Sequence, residues 1–331
     1  MKTTLLKINS RNPELEKINL VSKAIICGKL VAFPTETVYG LGANAFDQKA
    51  ISQIFKVKGR PQDNPLIVHI FDISQVEQLA KVFPQSAQRL IKEFWPGPLT
   101  IVLKKKKIVP KIVTAGLDSV AIRMPENKIA LKLIKQSKVP IVAPSANLSG
   151  KPSPTKARHV IDDIFGKVDY IIDGGNCKIG IESTVIDFTS KVPTILRPGY
   201  ITKEDIEKVI GKVEISKSKS KTAPKAPGMK YKHYSPKAKV LLISKNKIKL
   251  EIKKQLENKE KIAIITFNNK IENKDLVFSK DYNQLIDYSK NLFSDFRFAD
   301  KKKASAIIVQ EVPDQKFGHS IMNRLKKAAG S

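Results

Sequence analysis

At 331 residues and 41% hydrophobic content, the chain is long enough for two domains with substantial cores. Lysine and arginine outnumber aspartate and glutamate 60 to 31, a formal charge of +29 that suits anionic partners. Two cysteines exclude a disulfide scaffold and fit a reducing compartment, and Met1–Lys7 lacks the apolar core of a signal peptide. No apolar run approaches the roughly 20 residues of a spanning helix, so a cytoplasmic protein without membrane contact is expected.

The first two hundred residues alternate strands and helices. Apolar spacings of three and four predict helices over 14–27, 49–57, 86–94, 128–136 and 155–165. Short β-branched runs closed by Gly or Pro predict strands over 30–33, 66–70, 99–103, 120–124, 141–143, 168–172, 184–187 and 194–197. This is an α/β domain with a mixed sheet, whose strand order the pattern does not reveal. Cys27, in the first apolar helical run, reads as a small core residue.

Within that frame the polar residues fall at element ends. Residues 31–42 (VAFPTETVYGLG) read as a buried strand entering a Thr- and Gly-rich turn. The second helix ends at Gly59, with Pro61 and Pro65 preventing its continuation, and leaves Lys58 and Arg60 on a loop. A Lys as point charge beside an Arg as planar fork suits a polyphosphate, the plain alternative being an ordinary basic loop. His69 follows 66–68, where a satisfied core histidine is the ordinary reading. Arg123 lies in an otherwise apolar strand, so it must be ion-paired or face a ligand. Ser145-Ala146-Asn147 follows a short strand closed by Pro144, which is the composition of a binding loop on a rigid sheet. Arg197 ends a strand at an Arg-Pro-Gly turn.

From 211 to 236 the composition changes to lysine, serine and proline opposed only by Glu214, which reads as a linker. Beyond it, strands at 240–244, 262–267 and 306–310 alternate with helices at 248–256, 285–298 and 320–328. A small parallel sheet with Rossmann-like layering is expected. Neither a Gly-x-Gly-x-x-Gly nor a P-loop is present.

Lys58-x-Arg60 and Ser145-x-Asn147, flanked by 31–42, by 64–69 (NPLIVH) and by 95–100 (WPGPLT), resemble the YrdC/Sua5 family, the L-threonylcarbamoyladenylate synthases. The likeness runs from about residue 10 to 211 and resumes at 226–236 (APGMKYKHYSP), which is similar to the linker of the two-domain Sua5 branch. The resemblance implies a YrdC-like twisted mixed sheet around a concave cleft at 1–211, a basic linker or lid at 212–236, and at 237–331 a Sua5-type C-terminal domain, short for its kind. It implies formation of threonylcarbamoyl-AMP and pyrophosphate from L-threonine, bicarbonate or CO2, and ATP accompanied by Mg2+. The product would serve N6-threonylcarbamoyladenosine synthesis at position 37 of tRNAs reading ANN codons, passing to a Kae1/TsaD-type transferase.

The residues implied are Lys58, Arg60, Ser145 and Asn147 for catalysis, and Thr35, His69, Arg123, Ala143 and Ser183 for threonine. For ATP they are Lys58, Arg60, Thr114, Ser145, Asn147, Ser153, Arg197 and Tyr234, with Thr114 and Ser153 equally at home as turn residues. Displacement at phosphorus is largely positioning and charge neutralisation, which these groups supply. The four dispersed histidines argue against a zinc site; Mg2+ would be held by phosphate oxygens, with Glu36, Glu182 and Asp187 reaching it only through water. The segment 227–236, with its two tyrosines and a histidine between prolines, is expected to close over the cleft, with Tyr234 on the nucleotide. An ordinary interdomain contact is the alternative. The rival function is a non-catalytic module binding double-stranded RNA or tRNA, or associating with the ribosome. The charge excess is mostly diffuse lysine, consistent with weak RNA binding that fades as salt rises.

Overall fold

The computed structural model describes residues 2–216 and 233–330. The N-terminal unit runs β1 (Thr4–Lys7), α1 (Leu15–Ile26), β2 (Val31–Phe33), β3 (Gly40–Asn44), α2 (Gln48–Lys58), β4 (Ile67–His69), α3 (Ser74–Leu79), α4 (Gln85–Phe94) and β5 (Leu99–Lys104). It continues through β6 (Ser119–Arg123), α5 (Lys128–Ser137), β7 (Ile141–Val142), α6 (Ala157–Ile164), β8 (Tyr170–Asp173), β9 (Thr184–Asp187), β10 (Thr194–Arg197), α7 (Lys203–Ile210) and β11 (Glu214–Ile215). The C-terminal unit comprises β12 (Lys239–Ile243), α8 (Ile248–Glu257), β13 (Ile262–Phe267), β14 (Phe278–Tyr282), α9 (Leu285–Lys301), β15 (Ala306–Gln310) and α10 (Phe317–Ala329).

Among the described residues, eleven strands form one mixed sheet in the order β1-β8-β2-β3-β7-β4-β6-β5-β9-β10-β11. Four wholly parallel strands, β12-β15-β13-β14, form the second. The expected α/β architecture, a large mixed sheet followed by a smaller parallel one, is what the chain adopts. Strand β11 pairs with β10, so the large sheet extends past the boundary expected at 211. Of the expected linker, residues 217–232 lie outside the described residues.

Local chemistry accounts for the elements that hold the site. Helix α2 starts where the Asp47 side chain accepts the N–H groups of Lys49 and Ala50, and buries Ile51, Ile54 and Phe55. Its C-cap is Gly59 in the left-handed region, φ 58°. Strand β3 escapes the sequence pattern because Gly40-Leu41-Gly42-Ala43-Asn44 has the composition of a turn, yet its backbone pairs antiparallel with β2 and β7. Cys27 corrects the sequence reading: it is exposed, because α1 turns Ile18, Val21 and Ile25 inward and Cys27 lies past its last turn, at the C-cap. Cys177 is buried.

The two units share one apolar cluster. Val38, Ile179 and Ile181 pack with Tyr234 and with Tyr288, Leu292, Phe293 and Leu325 of the C-terminal unit. Polar contacts reinforce the junction: Ser289 Oγ donates to the Ile179 carbonyl at 3.1 Å, and Arg297 Nη2 meets Asp163 Oδ2 at 2.7 Å. Among the described residues no helix is long and apolar enough to cross a membrane.

Candidate active site

Residues two apart on a strand face the same side, so Ile67 and His69 of β4 both look onto the concave face of the large sheet. His69 is paired in register with Arg123 of β6. Ala143 follows β7 beside them, its N–H bonded to the Ile67 carbonyl at 3.1 Å. Around this floor the turn after β2, the end of α2, the loop after β7 and the facing ends of β9 and β10 form an open cleft. It is lined by Thr35, Lys58, Arg60, His69, Arg123, Ala143, Ser145, Asn147, Ser153, Ser183, Arg197 and Tyr234. Every residue of the expected site is therefore here except Thr114, whose hydroxyl donates to the Leu117 carbonyl at 2.8 Å within its own turn.

Lys58 is not the exposed loop charge that the sequence suggested. It is the last residue of α2, 2% exposed, and its ammonium donates to the carbonyls of Ser145 and Asn147, at 2.5 Å each. Burial, with Arg60 adding repulsion, holds its pKa well below the usual lysine range. The cation thus ties the end of α2 to the loop after β7. Arg60 is also buried, its Nε and Nη2 donating to the carbonyls of Asn64 and Pro65 at 3.3 and 3.0 Å. The Asn147 amide, expected to donate to phosphate, instead donates to the carbonyls of Leu148 and Lys151, at 2.8 Å each. Its amide nitrogen shapes the loop, because the chain reverses there and leaves those two carbonyls within reach.

Arg123 realises both sequence alternatives at once. It lines the cleft and is ion-paired with buried Glu36, while Nη1 donates to Thr37 Oγ1 at 3.0 Å and Nε to the Gly97 carbonyl at 3.2 Å. Those bonds use three of its five N–H groups, leaving two for a ligand. His69 Nδ1 is buried with no hydrogen-bond partner among the described residues. Burial, with Arg123 beside it, pushes its pKa down to about 3, so the ring is neutral. Thr35 Oγ1 donates to the Val38 carbonyl at 2.6 Å and contacts Thr37 Oγ1 at 2.9 Å.

On the opposite wall Arg197 Nε and Nη2 donate to the Ser183 carbonyl at 3.1 and 3.0 Å, and Nη2 also reaches Ser183 Oγ at 3.1 Å. Glu182 accepts from Ser153 Oγ at 2.5 Å and from Arg324 Nε at 3.1 Å. Burial raises the Glu182 carboxyl, but Arg324, Arg197 and the Ser153 hydrogen bond outweigh it and hold the pKa below the usual range. Tyr234 lines the cleft while stacking on Phe293 of α9 at 5.2 Å, so cleft lining and interdomain packing coexist in one side chain.

Sequence reasoning gave no role to Thr37 and missed the central place of Glu182; both line the cleft, as does His233 of the segment expected to close over it. Thr37 lies two residues from Thr35, and Glu182 precedes Ser183, so proximity to a motif was the available signal. Among the described residues Glu182 is the only carboxylate lining the cleft, and no group of three His, Cys, Asp or Glu could hold a metal. Glu36 is committed to Arg123, and Asp187 to Thr189.

The family profile described as telomere recombination, Sua5/YciO/YrdC, matches residues 23–199, and that of the threonylcarbamoyl-AMP synthase C-terminal domain matches residues 201–330. The chain is 48% identical over 337 residues to threonylcarbamoyl-AMP synthase of Pyrococcus abyssi, covering 99% of this chain and 98% of that one. It is 48% identical over 315 residues to the Bacillus subtilis enzyme of that name, covering 91% and 90%. The crystal structure of P. abyssi Sua5 complexed with L-threonine superposes with a TM-score of 0.94 at 47% identity, covering 99% of this chain and 98% of that one.

Proposed function

The chain belongs to the Sua5/YrdC family of threonylcarbamoyl-AMP synthases, and from that premise we propose how its cleft forms threonylcarbamoyl-AMP. It is an enzyme whose substrates are ATP and L-threonine. Bicarbonate or CO2 supplies the third component. The observation that carries this reading is convergence: the Lys58/Arg60 pair, Arg123 and Arg197, from three distant stretches of sequence, line one cleft together with small hydroxyls and a neutral histidine.

Threonine occupies the side bounded by Thr35, His69, Arg123, Ala143 and Ser183. Its carboxylate takes the two remaining N–H groups of Arg123, and the unpartnered His69 Nδ1 meets a polar group of the substrate. The amine nitrogen bonds the carbon of CO2 and releases a proton, giving a carbamate. A carbamate oxygen then bonds the α-phosphorus of ATP as the bond to the β-phosphate oxygen breaks, and pyrophosphate leaves. Lys58, Arg60 and Arg197 neutralise charge building on the phosphates, an effect enlarged by their burial. Ser145 and Ser153 donate to the nucleotide, and Tyr234 covers it. Mg2+ enters with ATP as part of the substrate, since the one carboxylate of the cleft is engaged by Arg324 and Ser153. The product passes to a Kae1/TsaD-type transferase that places the threonylcarbamoyl group on tRNA adenosine 37.

Pyrophosphate release from ATP, assayed with and without threonine in bicarbonate buffer, tests the reaction. Threonine-dependent release is expected. A non-catalytic RNA-binding module would show none and has no use for a pocket selecting one amino acid.

A further inference from the structure

The nucleotide wall of the cleft is held from behind by the C-terminal unit. Arg324 of α10 is fully buried, and its Nε is 3.1 Å from Glu182 Oε2, across 142 residues of sequence. Its Nη2 donates to the Glu182 carbonyl at 3.3 Å, and its Nη1 to the Pro198 carbonyl, which follows Arg197. The guanidinium carbon also lies 5.7 Å from the centre of the Tyr234 ring. One turn earlier on the same helix, Ser320 Oγ donates to the Gly199 carbonyl at 2.6 Å.

Glu182 is the relay. With Oε2 fixed by Arg324, its other oxygen accepts the Ser153 hydroxyl, while the Arg324 guanidinium itself lies over the Tyr234 ring. A carboxylate facing a triphosphate would repel it unless its charge were compensated; a buried, bidentate-capable arginine supplies that compensation and sets the orientation together. A lysine could supply the charge but not the fork.

We propose that Arg324 is a positioning residue for ATP: it fixes Ser153 through Glu182 and Tyr234 by direct contact with its ring, and shields the bound nucleotide from the Glu182 charge. The C-terminal unit is therefore part of the active site although Arg324 itself does not line the cleft. This rests on the assignment of Ser153 and Tyr234 to the nucleotide made above.

The test uses the full-length protein, titrated calorimetrically with ATP and separately with threonine. Arg324→Lys is expected to weaken ATP binding about tenfold, the scale of a coupling between linked sites, with little change for threonine. Ser153→Ala should weaken ATP binding too, and the two changes combined should cost less than the product of their separate effects, because they break one relay. Ser289→Ala removes an interdomain hydrogen bond away from Glu182; it should lower the melting temperature and leave ATP affinity unchanged, separating positioning from general docking. If Ser153→Ala weakens ATP binding and Arg324→Lys does not, the proposal falls while the site assignment stands. If neither Tyr234→Phe nor Ser153→Ala affects ATP, the assignment falls and takes the proposal with it. Should Arg324→Lys fail to fold, Arg324→Met with Glu182→Gln removes both charges together and takes its place. Wild-type ATP affinity in that protein would overturn the relay.

Discussion

Lys58 shows what burial does to a charge that looks free in sequence. Its ammonium satisfies the Ser145 and Asn147 carbonyls, so removing it strands two buried acceptors. Lys58→Ala should cost about 10²–10³ in turnover, the effect of losing one oriented charge partner. It should also cost about 1–3 kcal/mol of stability through the orphaned carbonyls. Turnover and urea unfolding measured on the same preparation check both; an unaffected unfolding midpoint would mean the carbonyls find other partners. Selection of the amino acid is also decided residue by residue. If buried polar groups bind the substrate hydroxyl, valine leaves them unpaired while serine loses only a methyl contact. Titration should rank threonine above serine and serine well above valine. Equal affinity for threonine and valine would move the pocket elsewhere.

Among the elements, two glycines separate conformational strain from steric collision. Gly59 caps α2 at φ 58°, and a Cβ added there meets nothing within 4 Å. Gly59→Ala should therefore cost only the left-handed penalty, about 1 kcal/mol. Gly180 has φ 85°, and its added Cβ would lie 2.4 Å from Lys290 Cα at the start of α9's contact with the N-terminal unit. Backbone must move to admit it. Gly180→Ala should thus destabilise several-fold more than Gly59→Ala and loosen the junction between units; similar unfolding midpoints would contradict this. The end of the linker is the third such element. Tyr234 adopts φ 65°, packs on Phe293 and faces the cleft, where a segment excluding water would protect a mixed anhydride. Tyr234→Ala should raise the free AMP released per threonylcarbamoyl product, and an unchanged partition would defeat the lid.

At the scale of the whole molecule, acid sensitivity follows from three histidines in different places, His69 and His159 buried and His233 half-buried. Burial, reinforced by Arg123, Arg297 and Arg60 respectively, pushes His69, His159 and His233 from 6.5 to about 3. Their folded pKa values lie below the unfolded ones, so the unfolded chain binds more protons in between. Stability from their neutral forms is complete above about pH 6.5 and lost as pH falls toward about 3. Each contributes a slope of about 1.4 kcal/mol per pH unit within that window. Asp295, pushed up to about 6 by burial, works in the opposite sense but is outnumbered, since Asp163 and Glu182, held low by Arg297 and Arg324 despite burial, act with the histidines. The melting temperature should fall from pH 6.5 downward; a level profile to pH 4.5 would show that the rings become solvated without unfolding.

Much of this was legible in the residues. Periodicity of three and four marked α1, α2, α4, α5 and α6, and short β-branched runs marked most strands, because those patterns record which face is buried. Lys58-x-Arg60 and Ser145-x-Asn147 were legible as cleft residues because polar side chains at a helix end and a strand end face the edge of the sheet rather than its core. A lone Arg123 in an apolar strand announced a partner, since a buried charge cannot go without one. What needed the tertiary structure was everything set by distance along the chain. Local spacing cannot say that Lys58 closes on the carbonyls of 145 and 147, that glycine-rich β3 is a strand, or that Cys27 faces solvent. Least of all can it say that Arg324 lies behind Glu182, because partners 142 residues apart meet only when the two units pack and exclude water between them.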